Sequence, residues 1–278
     1  MDHYLVVGNP VEHSKSPWIH ARFAELTGQQ LHYGKLLVAP GDFEHAVNAF
    51  RAQGGKGCNV TVPFKFDAAM LATQTTPRAL LAGACNTLRF EGSEVFADNT
   101  DGIGLVNDIV SNAGVKLAGK DLLLIGAGGA ASGVLGPLIE ARPRRIAVAN
   151  RTQAKAEVLI ERHSELADVH GVQLSAPELG LLQGTFEVVI NATASSLAGE
   201  GVPIAPHVLE RKALAVDLMY GPAARGFMDW AQAHGAVPRD GLGMLVEQAT
   251  EAFLFWRGVR PPSAQVLAEL RATLSSPA

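Results

Sequence analysis

Lys65 closes the stretch GCNVTVPFK, in which Cys58, Val60, Val62 and Phe64 alternate with Asn59, Thr61, Pro63 and Lys65. That alternation predicts a half-buried strand running into a proline-marked turn. A lone lysine in such a place is ordinarily a solvated edge residue. An ammonium delivered beside an amide and a hydroxyl can also polarise a ketone and hand it a proton. Three further stretches, GNPVEHSKSP, ACNTL and NTDGIG, put small polar side chains at predicted strand ends or in the loops that follow. Open α/β sheets gather their ligands at such ends.

A second kind of chemistry is written in LLLIGAGGAASG. Gly126, Gly128 and Gly129 follow an apolar run and precede a helix-forming segment; Ala127 and Ala130 lie among them, and Ala131 stands where a third fingerprint glycine would be. Glycines here permit a tight strand-to-helix turn and let backbone N–H groups approach a pyrophosphate at a helix N-terminus. Taken alone, the same residues also suit a close-packed βα turn. The next apolar run ends in ANRTQAK. An NAD-preferring site usually carries an acidic residue at this point, whereas this chain has Asn150, Arg151, Thr152 and Lys155. Arg151 can pair with a 2′-phosphate and stack on adenine, while Thr152 and Lys155 add a hydroxyl and a second cation. The expected cofactor is NADP(H). Arg142, Arg144 and Arg145 fall at the opposite end of that strand, about 16 Å away, and read as surface charge.

The elements needed to place these groups alternate along the chain. HYLVVG, QLHYGKLLV and KGCNVTV read as strands; a helix starts at Pro17 and stops at Gly28, and DFEHAVNAFRA and PRALLAGA read as further helices. CNTLRF and EVFAD form a predicted hairpin about Glu91-Gly92-Ser93. After NTDGIGL the texture changes. DLLLIG and RIAVAN are continuous apolar runs of the kind buried on both faces, FEVVIN and ALAVDL would extend their sheet, and DGLGMLVEQATEAFLFW begins a long amphipathic helix. Hinges are expected near Thr100–Gly104 and near Gly241.

The 278 residues, 47% hydrophobic and 18% charged, suffice for one large domain or two ordinary ones. A net charge of −4 argues against a nucleic-acid footprint. No run approaches a membrane span, and the first residues enter a strand without a basic leader, so a cytoplasmic protein is expected. Cys58 and Cys85 are too few for a disulfide framework and read as small buried hydrophobes. The histidines, His13, His20 and His32 among them, form no ligand cluster and read as surface or helix residues; no metal site is implied.

In their order and spacing GNPVEHSKSP, NVTVPFK, ACNTL, NTDGIG, GAGGAA, NRT, DLMYGP and DGLGMLVEQA closely resemble the shikimate dehydrogenase family, over nearly the whole chain. The resemblance implies a two-domain α/β fold. An N-terminal substrate domain with a mostly parallel sheet, residues 1–103, would be completed by 242–278, whose helices return to it. A Rossmann-like NADP domain would occupy 104–241. The implied reaction is the NADPH-dependent, reversible reduction of 3-dehydroshikimate to shikimate, on the way to chorismate and the aromatic amino acids. Lys65 and Asp101 would be the catalytic pair. Ser14 and Ser16 would bind the substrate carboxylate, Thr61, Asn86 and Asp101 the ring hydroxyls, and Tyr220 and Gln248 would close the pocket. Leu218 and Gly241 would line the cofactor by their backbones, with Met244 near the nicotinamide.

Read by themselves, Ser14 and Ser16 suit a turn, with Ser16 as a helix cap; Asn86 is a turn residue, Thr61 a strand filler, Tyr220 and Met244 packing residues, and Gln248 a solvated helix position. Two departures from the family pattern, Ala194 after Asn-Ala-Thr and the turn Gly221–Phe227, touch fine contacts in the cofactor domain. The rivals are an NAD-preferring quinate/shikimate dehydrogenase, against which NRT speaks, and a non-catalytic metabolite sensor, which would be expected to lack Lys65 or Asp101. The expected partner is a small-molecule substrate, with no nucleic acid and no membrane, bound by a monomer or homodimer.

Overall fold

The computed structural model describes residues 1–193 and 204–275. The chain divides into two compact units, residues 1–104 with those from Leu245 onward, and Leu105–Met244.

In the first unit six strands, β1 (Asp2–Gly8), β2 (Leu31–Leu37), β3 (Gly55–Val60), β4 (Gln74–Thr75), β5 (Thr87–Glu91) and β6 (Glu94–Asp98), lie in the order β2-β1-β3-β5-β6-β4. Five run one way and β5 alone runs opposite, because the two-residue turn Gly92-Ser93, with Gly92 at φ 56°, folds it back against β6. The helices are α1 (Ser16–Thr27), α2 (Phe43–Ala52), α3 (Lys65–Leu71) and α4 (Pro77–Ala82). The pleat sorts alternate residues of β1 onto two faces. Leu5 and Val7 join Cys58, Val60, Phe64 and Leu88 on one; Tyr4 and Val6 join Tyr33, Ala252 and Trp256 on the other.

The strand β3 stops at Val60, before the end predicted for it. Pro63 has no N–H for a ladder; Thr61–Phe64 turn instead, the Phe64 N–H donating to the Thr61 carbonyl at 3.0 Å, and Val62 is 41% exposed. The strand is also not half-buried, since Asn59 lies inside with its apolar neighbours. Lys65 is therefore the first residue of a helix, not the tail of a strand.

The second unit carries β7 (Asp121–Ile125), β8 (Arg145–Ala149), β9 (Gln173–Ser175), β10 (Phe186–Asn191), β11 (Leu209–Asp217) and β12 (Val237–Arg239) in the order β12-β11-β10-β7-β8-β9, all parallel. The strand order reverses between β7 and β10, the switch point at which doubly wound sheets open a crevice. Leu122 and Leu124 face one core layer and Leu123 and Ile125 the other, as expected of a strand covered on both sides. Of its helices, α6 (Gly129–Glu140) and α7 (Gln153–His170) follow β7 and β8, and α8 (Arg225–Ala233) precedes β12. The division between the units falls inside α5 (Asp101–Asn107) and α9 (Leu242–Arg257); beyond it, Trp256 of α9 donates to the Leu88 carbonyl at 2.9 Å, and Glu269 of α10 (Ser263–Ser275) takes both guanidinium arms of Arg22.

Two of the arginines read as surface charge are structural. Arg144 grips the buried carboxylate of Asp121 with two bonds of 2.7 and 2.6 Å, and Arg145 adds a third at 2.8 Å while its guanidinium lies over Phe186. A buried acid at the start of β7 needs such partners; Arg142 and Arg144 both remain exposed at the surface, as read, Arg144 while gripping Asp121.

Candidate active site

In the first unit the polar ends of β1, β3 and β5 converge with the start of α5. Lys65, placed at the head of α3, forms an ion pair with Asp101 Oδ2; the side chains are 14% and 7% exposed. Asp101 opens α5, where its backbone N–H donates to Asn99 Oδ1 at 3.1 Å. The other Asp101 oxygen accepts from Asn86 Nδ2 at 2.8 Å. Asn86 Oδ1 accepts from the Thr100 N–H at 2.9 Å, a group that can only donate, so the Asn86 amide has one orientation. Gln248, on α9, brings its Oε1 within 3.2 Å of the same Asn86 Nδ2 and anchors its own amide on the Leu245 carbonyl at 2.8 Å. This approach depends on Gly104, where a Cβ would sit 2.6 Å from the Gln248 backbone nitrogen. Gln248 is thus buried in the polar cluster, not solvated.

Ser14 and Ser16 present their hydroxyls 3.2 Å apart, and the Ser16 N–H donates to Ser14 Oγ at 3.3 Å. Ser16 is the first helical residue and the cap position falls to Lys15, so the Ser16 hydroxyl is left to face Ser14. Thr61 is held through its N–H on the Val7 carbonyl at 2.9 Å and is partly exposed. Four residues that sequence reasoning passed over complete the cluster: Thr100, Thr87, Asn59 and Tyr33. The one signal for Asn59 was its place within NVT. Asp98, just ahead, is buried and takes Thr76 Oγ1 at 2.6 Å and both arms of Arg78, fixing the approach to α5.

Burial sets the titration of the groups around this cluster. It pushes the Cys58 thiol up, and the Cys85 thiol to about 12 with help from Asp98, so both cysteines are inert buried hydrophobes. His20 is wholly enclosed, stacked on Tyr33 with ring centroids 4.4 Å apart and flanked by Phe253 and Trp256; loss of hydration drops its pKa to about 3. It is a helix residue of α1, as one of the two readings had it, but on the buried face and not at the surface.

In the second unit the glycine turn and the NRT stretch leave adjacent strands side by side, the Gly126 N–H donating to the Ala149 carbonyl at 2.8 Å. Gly126 has φ 113° and faces the Ala192 carbonyl so closely that a Cβ would lie 3.0 Å from it. Gly128 has nothing within 4 Å of its Cβ position, and Gly129 opens the twelve-residue α6, leaving first-turn N–H groups for an anion. Ala127 and Ala130 are half-buried beside them, while Ala131 packs in the core. Arg151, Thr152 and Lys155 are exposed, and neither cation pairs with a carboxylate among the described residues; Asn150 Nδ2 holds the Thr152 carbonyl at 2.8 Å. These groups fit a phosphorylated dinucleotide. Leu218 and Gly241 are neighbours, joined by the Gly241 N–H on the Met219 carbonyl at 2.8 Å, and Met244 is buried in the core layer. Beneath them the buried pair Asn191 and Asp217 ties the ends of β10 and β11 at 3.0 Å. Tyr220 lies half-buried after β11, and Ala194 lies outside the described residues.

A parallel sheet with this strand order and glycine turn defines a dinucleotide-binding protein of the Rossmann type. Comparison with known proteins narrows the class. Family models for the shikimate dehydrogenase substrate binding domain, shikimate / quinate 5-dehydrogenase, and the shikimate 5'-dehydrogenase C-terminal domain match residues 6–88, 107–218 and 241–271. A shikimate dehydrogenase (NADP(+)) of Paracidovorax citrulli is 64% identical over 98% of either chain. An Ael1 enzyme from Pseudomonas putida superposes with a TM-score of 0.87 at 45% identity, covering 97% of this chain and 98% of the other. The Thermus thermophilus shikimate 5-dehydrogenase, solved with NADP(H) and shikimate, gives 0.83 at 30% identity over 98% and 99%. The chain belongs to the shikimate dehydrogenase family.

Proposed function

We propose that the protein is an NADP-dependent shikimate dehydrogenase, interconverting 3-dehydroshikimate and shikimate. The observation that carries this reading is the nearly buried Lys65–Asp101 pair, locked to Asn86, in a chain whose relatives include NADP-dependent shikimate dehydrogenases. NADPH, when bound on the glycine turn with its 2′-phosphate at Arg151, Thr152 and Lys155, supplies the hydride. The protein's task is the proton. Lys65 donates a hydrogen bond to the ketone oxygen and gives up a proton as negative charge gathers there; in the oxidation its neutral form takes the proton back. Asp101 holds the ammonium in place and accepts from a neighbouring ring hydroxyl. Asn86, Thr61 and Gln248 each donate and accept, as polyol recognition requires. The paired hydroxyls of Ser14 and Ser16 bind the substrate carboxylate.

On this reading residues 1–103 with 242–278 form the substrate domain and 104–241 the NADP domain. The enzyme works in the cytoplasm, as a monomer or homodimer, on a small soluble acid. Among the described residues no helix is long and apolar enough to cross a membrane. The test is a rate assay that follows reduced nicotinamide with shikimate or quinate and with NADP or NAD. The expected result is turnover with shikimate and NADP that exceeds the other three pairings. No reduction of NADP in the presence of shikimate overturns the proposal.

A further inference from the structure

Behind the acid–base pair runs a line of buried hydrogen bonds whose direction can be worked out atom by atom. Asn59 Nδ2 lies 3.3 Å from the Asn86 carbonyl, which only accepts, so the Asn59 amide cannot be reversed. Its Oδ1 therefore faces Tyr33, and the phenol must donate to it, at 2.7 Å. Asn59 Nδ2 also donates to Thr87 Oγ1 at 3.1 Å, leaving the single Thr87 proton for Asn86 Oδ1 at 3.0 Å. Asn86 Nδ2 then donates to Asp101 Oδ1 at 2.8 Å, and the second Asp101 oxygen takes Lys65. Four bonds link Tyr33 to the carboxylate through Asn59, Thr87 and Asn86, and each polarises the next. The phenol at the head is fixed by its stack on His20, and burial raises its pKa well above the ordinary value, so it stays a donor.

We propose that Tyr33 is a positioning residue for the reaction: through Asn59 and Thr87 it steadies the Asn86 amide, whose orientation the Thr100 N–H fixes, and so helps hold Asp101 against Lys65. This deepens the proposed function and rests on it for its kinetic consequence. Removing the phenol hydroxyl takes its hydrogen bond from Asn59 Oδ1 and weakens the polarisation that Asn59 and Thr87 pass on to Asn86.

The experiment combines Tyr33→Phe, which keeps the stacked ring, with Thr87→Val, which cuts the same line at a second point without changing shape. Each should lower kcat with shikimate about tenfold and leave the KM for NADP unchanged. In an Asp101→Asn background neither should lower it further, because a residue acting only through Asp101 has nothing left to position. Equal losses in both backgrounds, or full activity of both single variants, overturn the proposal. Side-chain amide NMR of the free protein supplies a readout independent of any substrate. Tyr33→Phe should shift both the Asn59 and the Asn86 amide resonances; a shift confined to Asn59 rejects the relay even if shikimate is not the substrate. A wild-type protein inactive on shikimate with both resonances shifted would sink the function alone.

Discussion

Lys65 and Asp101, separated by 36 positions, meet as an ion pair at the first residues of two different helices, with little of either side chain left in water. Neither backbone can move without moving a helix start, so the pair is held ready for substrate and not assembled by it. Lys65→Ala should lower turnover by about 10²- to 10⁴-fold while leaving NADPH affinity, measured by fluorescence titration, nearly unchanged. Asp101→Asn should also impair turnover. A Lys65→Ala enzyme running at the wild-type rate would remove the proton donor from the mechanism.

The cations after β8 carry a separate prediction. Arg151 and Lys155 lie exposed next to the glycine turn and pair with no carboxylate among the described residues, so their charge is available to a 2′-phosphate. Arg151→Ala combined with Lys155→Ala should reduce the preference for NADP over NAD, in kcat/KM, by at least about tenfold, chiefly through KM for NADP. The folded protein should be unaffected, since exposed substitutions of this kind stay within about 0.5 kcal/mol. An unaltered preference would place the discriminating contacts elsewhere.

What was legible in the sequence follows from what is local. The glycine turn, the NRT stretch and the apolar strands of the second unit carry their meaning in neighbouring residues, and each forms where the pattern puts it. Lys65 stood out because a charge interrupts an alternation, although the alternation itself ended at Val60 once Pro63 had no N–H to offer. The line from Tyr33 to Asp101 was invisible for the opposite reason. A tyrosine in one strand, an asparagine in another and a threonine in a third are unremarkable until the sheet order β2-β1-β3-β5 brings them together. The burial of His20 and the Arg144–Asp121 clamp were invisible on the same account: a helix position or a charge cluster does not say what will be packed against it.

Asp108 and Arg239 test how far the second unit depends on a single buried charge pair. Asp108 is fully buried, and Arg239 grips it with two bonds, of 2.7 and 2.5 Å; the Cβ of an alanine at Gly243 would overlap that carboxylate. Arg239→Ala strips the carboxylate of its guanidinium and leaves it to the Asn112 amide, at 3.0 Å. The expected loss is about 3–5 kcal/mol, read by urea denaturation, and Gly243→Ala should be destabilising as well. If Arg239→Ala unfolds at the wild-type urea midpoint, the pair is not what secures this corner.

The enclosed ring of His20 gives the fold a pH dependence of its own. In the unfolded chain this imidazole takes a proton near its ordinary pKa of 6.5, whereas in the folded protein burial holds the value at about 3. Above 6.5 both states are neutral and His20 contributes no slope. As pH falls from 6.5 toward 3 only the unfolded chain gains the proton, so stability is lost, at up to about 1.4 kcal/mol per pH unit. Carboxylate pairs such as Arg22 with Glu269 also weaken in acid, but they do so equally in a variant at position 20. His20→Phe keeps a flat ring beside Tyr33 and has nothing to titrate. Its unfolding free energy, followed from pH 7 to pH 4.5, should therefore decline less steeply than that of the wild type. Parallel curves would mean that the imidazole is protonated inside the folded protein, and that the aromatic box admits a compensating charge.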